Sequence, residues 1–287
     1  MNNLKTAVLL IALSALLVYL GALAGGRNGA TIAFGVALVM NVGSYWFSDK
    51  LVLRMYGATE VSEADAPELY SIVADLAQRA SIPMPKVYVI PGETPNAFAT
   101  GRSPQHAAVA VTEGITRMLG RDELRGVLAH ELSHVRHRDT LIATVAATLV
   151  GAITMLASMA RWAAIFGGIG RSDDDAPNPL ALMLITMVAA FGAVLLQLAV
   201  SRSRELEADA LGARLVGDGE PLARALEKLE VAARALPMRA SPSTAHLFIV
   251  SPLAGGRGVA NVFARLYRTH PPTEERIARL RDRSWAR

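Results

Sequence analysis

Four long apolar stretches punctuate this chain, running from about Thr6 to Gly26, Gly29 to Ser48, Leu141 to Ala160 and Ala176 to Ser201. Each has the roughly 20 residues that a helix needs to cross a hydrocarbon core about 30 Å thick. Arg27 and Asn28 leave only a tight connection between the first two, so residues 1–48 read as a transmembrane hairpin. Tyr45, Trp46 and Phe47 close it in the manner of an interfacial aromatic belt. Ala22-Leu23-Ala24 resembles a signal-peptide cleavage site, but the next span follows almost at once and would cross regardless. Residues 141–201 read as a second hairpin around a Gly- and Asp-bearing loop, Arg161 to Asn178. Uncharged runs of that length argue against buried helices of a soluble core.

The segments 49–140 and 202–287 have a different pattern. Ser62 with Asp65 marks a helix start, Pro67 to Leu76 carries helical spacing, and Pro83-Met84-Pro85 breaks it. Lys86 to Ile90 reads as a strand stopped by Pro91-Gly92, and Asn96 to Gly101 and Ala107 to Thr112 as two further extended stretches. Arg121 to Asp139 reads as an amphipathic helix. Beyond the second hairpin, Arg202 to Leu215 and Pro221 to Leu236 are helical, Pro237 to Pro242 is a break, and short helical pieces follow to Arg287. The pattern predicts a mainly α protein with a small β-sheet and four transmembrane helices.

Composition sharpens this. Of 287 residues, 52% are hydrophobic and only 19% charged, and mean hydropathy is +0.32; this is the balance of a membrane protein with a polar part attached. The net charge of +4 comes from scattered basic residues that flank the apolar runs and form no aromatic–basic platform, which excludes a nucleic-acid partner. Absence of Cys excludes a disulfide framework, a thiolate metal site and a Cys nucleophile. Lys5, Lys50, Arg54, Arg136, Arg138, Arg202 and Arg204 flank the spans on one side, Arg27, Arg161 and Arg171 on the other. The positive-inside rule then puts both termini and both long polar segments in the cytoplasm. Residues 49–140 and 202–287 can thus form one cytoplasmic domain, interrupted in sequence only by the hairpin at 141–201.

The chemistry lies in His130-Glu131-Leu132-Ser133-His134. Two His four apart sit one turn above each other on one helix face, so both imidazoles can bind a single Zn²⁺ while Glu131 activates a water. The charged ends of this helix put it outside the lipid. Two ligands are too few, since catalytic zinc sites usually hold three protein ligands and an open position. His137 is within reach on spacing, but a helix end is also where a positively charged side chain suits the dipole. The better candidates are Glu205 and Asp209, an i,i+4 pair on one face of the helix after the fourth span. One could bind metal and the other orient a liganding His through its free N–H; spacing does not say which.

H-E-L-S-H, two apolar spans and then Ser201-Arg202-Ser203-Arg204-Glu205-Leu206-Glu207-Ala208-Asp209-Ala210 resemble the HtpX-type membrane zinc metalloproteases, bacterial quality-control enzymes related to the CAAX prenyl endopeptidases. The likeness extends over nearly the whole chain, including Pro95 to Gly101 and Thr269 to Arg276. It implies a zincin-like α+β metallopeptidase domain and one Zn²⁺ per chain held by His130, His134 and Glu205, with Asp209 behind them. It implies Glu131 as general base and Asn96, Ala97, Phe98 and Ala99 as a substrate-facing edge strand. It makes His270 a candidate for stabilising the oxyanion. The implied partners are membrane-protein or unfolded polypeptide substrates and the lipid bilayer, with the catalytic domain on the cytoplasmic face of a bacterial inner membrane. Oligomeric state is not legible. A non-enzymatic adaptor or chaperone would have no need of an intact H-E-x-x-H with an acidic third ligand to hand, and a prenyl-protein endopeptidase would be expected to carry more spans.

Overall fold

The computed structural model describes residues 2–141, 202–235, 249 and 271–286. The expected third and fourth spans and His270 lie outside the described residues. Within them the protein is mostly helical with a small mixed sheet.

The first element, α1 (Asn2–Met55), is helical throughout but doubles back at Gly26, whose φ of +58° is open to glycine and strained for other residues. A straight helix of 54 residues would be about 80 Å long. Instead Asn41 Nδ2 donates to Ser14 Oγ at 2.7 Å, so the two arms lie side by side. Gly26–Phe47 is long and apolar enough to cross a membrane, and Leu10–Tyr19 in the other arm is a shorter apolar stretch. Ile32 and Val39 on the longer arm are 69% and 73% exposed, a cost in water that a hydrocarbon surround removes.

Four strands follow: β1 (Thr59–Glu60), β2 (Lys86–Ile90), β3 (Ala97–Thr100) and β4 (Ala108–Thr112). Their spatial order is β1-β2-β4-β3, with β2 and β4 parallel and the outer pairs antiparallel. Both faces are covered, and the period-two alternation of a strand sorts the side chains. Val87, Ala97, Ala99, Val109 and Val111 face the main core. Ile90, Phe98, Ala108 and Ala110 face a second cluster, closed by Val52 and Leu53 from the end of α1. The sheet is therefore docked on the helix that carries the candidate span.

The main core lies between the sheet and α2 (Pro67–Ala80), α4 (Arg121–His137), α5 (Arg202–Val216), α6 (Glu220–Ala235) and α7 (Thr273–Arg281), with the short α3 (Glu113–Met118) leading into α4. Ile72, Val73 and Leu76 of α2 meet Val127, Leu128, Leu132 and Val135 of α4, which in turn meet Leu211 of α5 and Leu222 and Leu226 of α6. Helix α4 begins where Glu123 Oε2 accepts the Gly120 N–H at 2.9 Å, satisfying one amide of the first turn. It ends two residues before the Asp139 that its pattern predicts, because Arg138 adopts the left-handed conformation at φ +60°. The two-residue β1 and the short α3 carry no pattern long enough to be read beforehand.

Candidate metal centre

Helix α4 is the central element of the core, and its spacing brings His130 and His134 together on one face. Their rings meet edge to face, with centroids 4.8 Å apart. Helix α5 crosses α4 at His130, and the approach depends on Gly212: a Cβ there would lie 3.0 Å from His130 N and 3.2 Å from Ala129 C. That closeness carries Glu205 and Asp209, one turn apart on α5, up to the imidazoles.

His130 Nε2 lies 3.2 Å from His134 Nε2, 3.6 Å from Glu205 Oε2, and His134 Nε2 lies 3.4 Å from Glu205 Oε1. A tetrahedron with metal–ligand bonds of about 2.0–2.1 Å has edges of about 3.3–3.4 Å. The Nε2–Nε2 distance and the approach of one Glu205 oxygen to each ring are close to such an edge, and among the described residues the three side chains form a group that could hold a metal ion. Two imidazoles and one carboxylate suit a first-row divalent ion.

Each imidazole is held from behind. His130 Nδ1 lies 2.8 Å from Asp209 Oδ1. Asp209 is itself gripped by a buried Arg276 from α7, whose Nη2 and Nε donate to its two oxygens at 2.7 and 2.8 Å. Arg276 Nη1 donates to Ile249 O at 3.0 Å. His134 Nδ1 lies 3.3 Å from Asp139 Oδ2, and Arg204 Nη1 lies 3.5 Å from the other Asp139 oxygen. The left-handed turn at Arg138 makes this possible, since it folds Asp139 back so that its N–H bonds His134 O at 3.0 Å. Contacts of this kind fix ring orientation and leave Nε2 free to face the metal.

The charges follow the geometry. Burial alone would raise Asp209, but the Arg276 guanidinium and His130 pull it down to about 2. Burial alone would lower His134, but hydrogen bonds to Asp139 and Glu205 push it up to about 10. Surroundings that favour an imidazolium also favour a divalent cation. Glu131 is raised above the ordinary carboxylate value, by burial first and by Glu205, against the opposing pull of the two His. A buried carboxylate with an elevated affinity for protons is suited to general-base work. Its Oε2 accepts the Ala99 N–H of β3 at 3.0 Å, so Glu131 sits beside the edge strand.

Of the residues expected from sequence, His130, Glu131, His134, Glu205 and Asp209 come together, with Glu205 beside both Nε2 atoms and Asp209 behind His130. Ala99 meets Glu131 through its backbone. Asn96 is buried with its N–H on Thr112 Oγ1 at 2.9 Å, Ala97 is buried beside it, and Phe98 turns its ring to the opposite sheet face against Tyr56. His137 is exposed and outside the cluster. Asp139 and Arg276 were not anticipated. Asp139 follows the motif helix and Arg276 ends the Thr269 to Arg276 segment, but only the turn at Arg138 and the packing of α7 bring them in.

Two imidazoles, a carboxylate and a buried glutamate beside an edge strand define a metallopeptidase-type centre. Residues 63–284 match the model of peptidase family M48. The chain is 56% identical over 285 residues to a protease HtpX homolog of Syntrophobacter fumaroxidans, covering 98% of this chain and 99% of that one. It is 53% identical over 279 residues to a protease HtpX homolog of Thermococcus kodakarensis, covering 97% and 94%. Its fold is like that of the crystal structure of S. mikatae Ste24p, with a TM-score of 0.50 at 18% identity; the match covers 96% of this chain and 64% of that longer one. The chain belongs to peptidase family M48, as a metalloprotease of the HtpX type. It is a membrane enzyme acting on polypeptides.

Proposed function

We propose that this protein is a zinc-dependent endopeptidase that cuts misfolded or damaged membrane proteins at the cytoplasmic face of a bacterial inner membrane, in stress-response quality control. The observation that carries the catalytic part is the triangle of His130, His134 and Glu205 donors beside a buried Glu131. In this reading four membrane helices, 1–48 and 141–201, hold the two polar segments 49–140 and 202–287 together as one catalytic domain.

His130, His134 and Glu205 would hold one Zn²⁺. When bound, zinc supplies Lewis acidity, lowering the pKa of a water in the open position towards about 7 and polarising the scissile carbonyl. Glu131 takes the attacking water's proton and later delivers it to the leaving amine. Asp209, fixed by Arg276, orients His130; Asp139 orients His134. Because Thr112 N donates to Asn96 O, ladder alternation directs the main-chain groups of Ala97 and Ala99 away from β4, the Ala99 N–H to Glu131 and the others to the open edge. An extended substrate can pair with that edge. His270 shares the oxyanion charge.

Metal analysis of the purified protein, coupled to cleavage of casein with and without chelator, tests this. Zinc at one per chain and chelator-sensitive cleavage are expected. Glu205→Ala should lose the metal; a variant retaining full metal content would remove Glu205 from the ligand set.

A further inference from the structure

The geometry points to a built-in ruler: the enzyme cuts polypeptide segments close to the bilayer, entered with the substrate's N-terminal side nearer the membrane. This rests on the proposed membrane-anchored peptidase reading and adds where along a substrate it cuts.

The Tyr56 ring packs on Phe98 of β3, with centroids 5.6 Å apart. The guanidinium of Arg102, just past the end of β3, lies over the Trp46 ring at 4.5 Å. These contacts pair Phe98 with Tyr56 and Arg102 with Trp46, positions roughly 15 Å apart along α1. The chain from β3 to Arg102 therefore runs antiparallel to the end of α1, with Phe98 at the far end and Arg102 at Trp46. Trp46 adjoins Phe47, where the candidate span Gly26–Phe47 ends. The C-terminal end of β3 therefore faces the membrane boundary.

A second contact marks the same end. Thr140 Oγ1 donates to Gly101 O at 2.9 Å, and the next residue, Leu141, is where the hydropathy pattern starts its third span. Two chain segments entering apolar stretches thus converge on Gly101 and Arg102. Tyr45, edge-on to Trp46 at 5.4 Å, and Lys50 over Phe47 at 5.9 Å give this end the aromatic and basic character of a headgroup layer.

The proposed base lies one hydrogen bond from Ala99, whose neighbour Phe98 meets Tyr56; along α1 from the Phe47 end of the candidate span to Tyr56 the reacting peptide sits roughly 10–13 Å from the boundary. Helix α1 is continuous from Phe47 to Met55 and is anchored by buried Val52 and Leu53, so that distance is fixed by packed structure. A peptide pairing antiparallel to β3, the more stable ladder, enters with its N-terminal side at the membrane. The substrates best matched are tails that follow a membrane span, cut about three to six residues beyond its end.

The test uses the full-length protein in phosphatidylethanolamine–phosphatidylglycerol liposomes. Two substrates carry one span and a uniform repetitive tail, C-terminal to the span in one and N-terminal in the other; the same tail is also supplied as a free peptide. Cut positions are mapped by mass spectrometry. The free tail should be cut throughout and the C-terminal tether near the span, with the N-terminal tether cut more slowly. The Trp46→Ala/Arg102→Ala double variant should broaden the window on the tethered tail while cutting casein at the wild-type rate. Identical cut patterns on tethered and free tails, or equal cutting of both polarities, would overturn the ruler. Failure to cut any substrate, casein included, would instead overturn the peptidase reading beneath it.

Discussion

Arg276→Met is the perturbation that reaches furthest into the site. Arg276 is 1% exposed, donates two hydrogen bonds to the Asp209 carboxylate and one to Ile249 O, and has Nη2 3.5 Å from His130 Nδ1. Methionine keeps much of the volume and removes all of them, leaving Asp209, among the described residues, as a buried carboxylate facing the His130 ring. Breaking a buried pair from one side costs about 3–5 kcal/mol, a large share of a typical total of about 5–15 kcal/mol. Part of that cost depends on pH. Asp209 is held at about 2 against an ordinary 3.8, a gap equivalent to roughly 2–3 kcal/mol. Because the folded value is depressed, this stability is fully present above pH 3.8 and lost as pH falls through about 2. The deficit of the variant should therefore be greatest near neutrality and shrink in acid. The assay is urea unfolding of metal-free protein in detergent, paired with metal affinity by chelator competition. Affinity should also drop, since Asp209 without its guanidinium no longer fixes His130. Adding Asp209→Asn to Arg276→Met should cost less than the sum of the single changes. A variant within about 0.5 kcal/mol of wild type at neutral pH, with unchanged metal affinity, would refute the reasoning.

Other expectations follow from single contacts. Asp139→Ala should weaken metal binding about 10- to 100-fold by releasing His134 Nδ1, measured by chelator competition, while Asp139→Asn retains part of it. Gly212→Ala should force α5 off the α4 backbone, costing about 1–3 kcal/mol in unfolding experiments despite the better helix propensity of Ala, and should lower metal occupancy with it. Glu123 accepts from Gly120 N and from Lys228 Nζ at 2.9 and 2.7 Å. Burial opposes its ionisation, but these contacts hold it below its ordinary 4.5. Its contribution, about 1 kcal/mol with half-exposed Lys228, is present above pH 4.5 and lost as pH falls through the lower folded value. Glu123→Gln should thus destabilise at neutral pH and have little effect in strong acid, as read by thermal unfolding.

What could be read beforehand was what local spacing determines. The i,i+4 pairs His130–His134 and Glu205–Asp209 each declare a helix face, and the period-two runs around Val109 and Val87 declare strands. The H-E-L-S-H pattern and its acidic partner are legible because metal chemistry restricts residue type and spacing together. Which acid of the pair lies beside both Nε2 atoms is a matter of how α5 crosses α4, set by the lack of a side chain at Gly212. Asp139 and Arg276 were hidden for a related reason. One depends on a left-handed residue that no periodic pattern encodes, the other on α7 returning to a helix 146 positions away in sequence. The reversal of α1 was legible in Arg27-Asn28, while the docking of its far end on β3 rests on tertiary contacts among Val52, Leu53, Tyr56 and Phe98.

The central claim is that Glu131 is the general base of a metal centre built from His130, His134 and Glu205. Its most direct test is one preparation of Glu131→Ala, assayed for zinc content and for cleavage of a membrane-protein substrate. The account predicts zinc at the wild-type one per chain and a rate lower by about 10²- to 10⁴-fold or more. Zinc retained together with wild-type cleavage would contradict it.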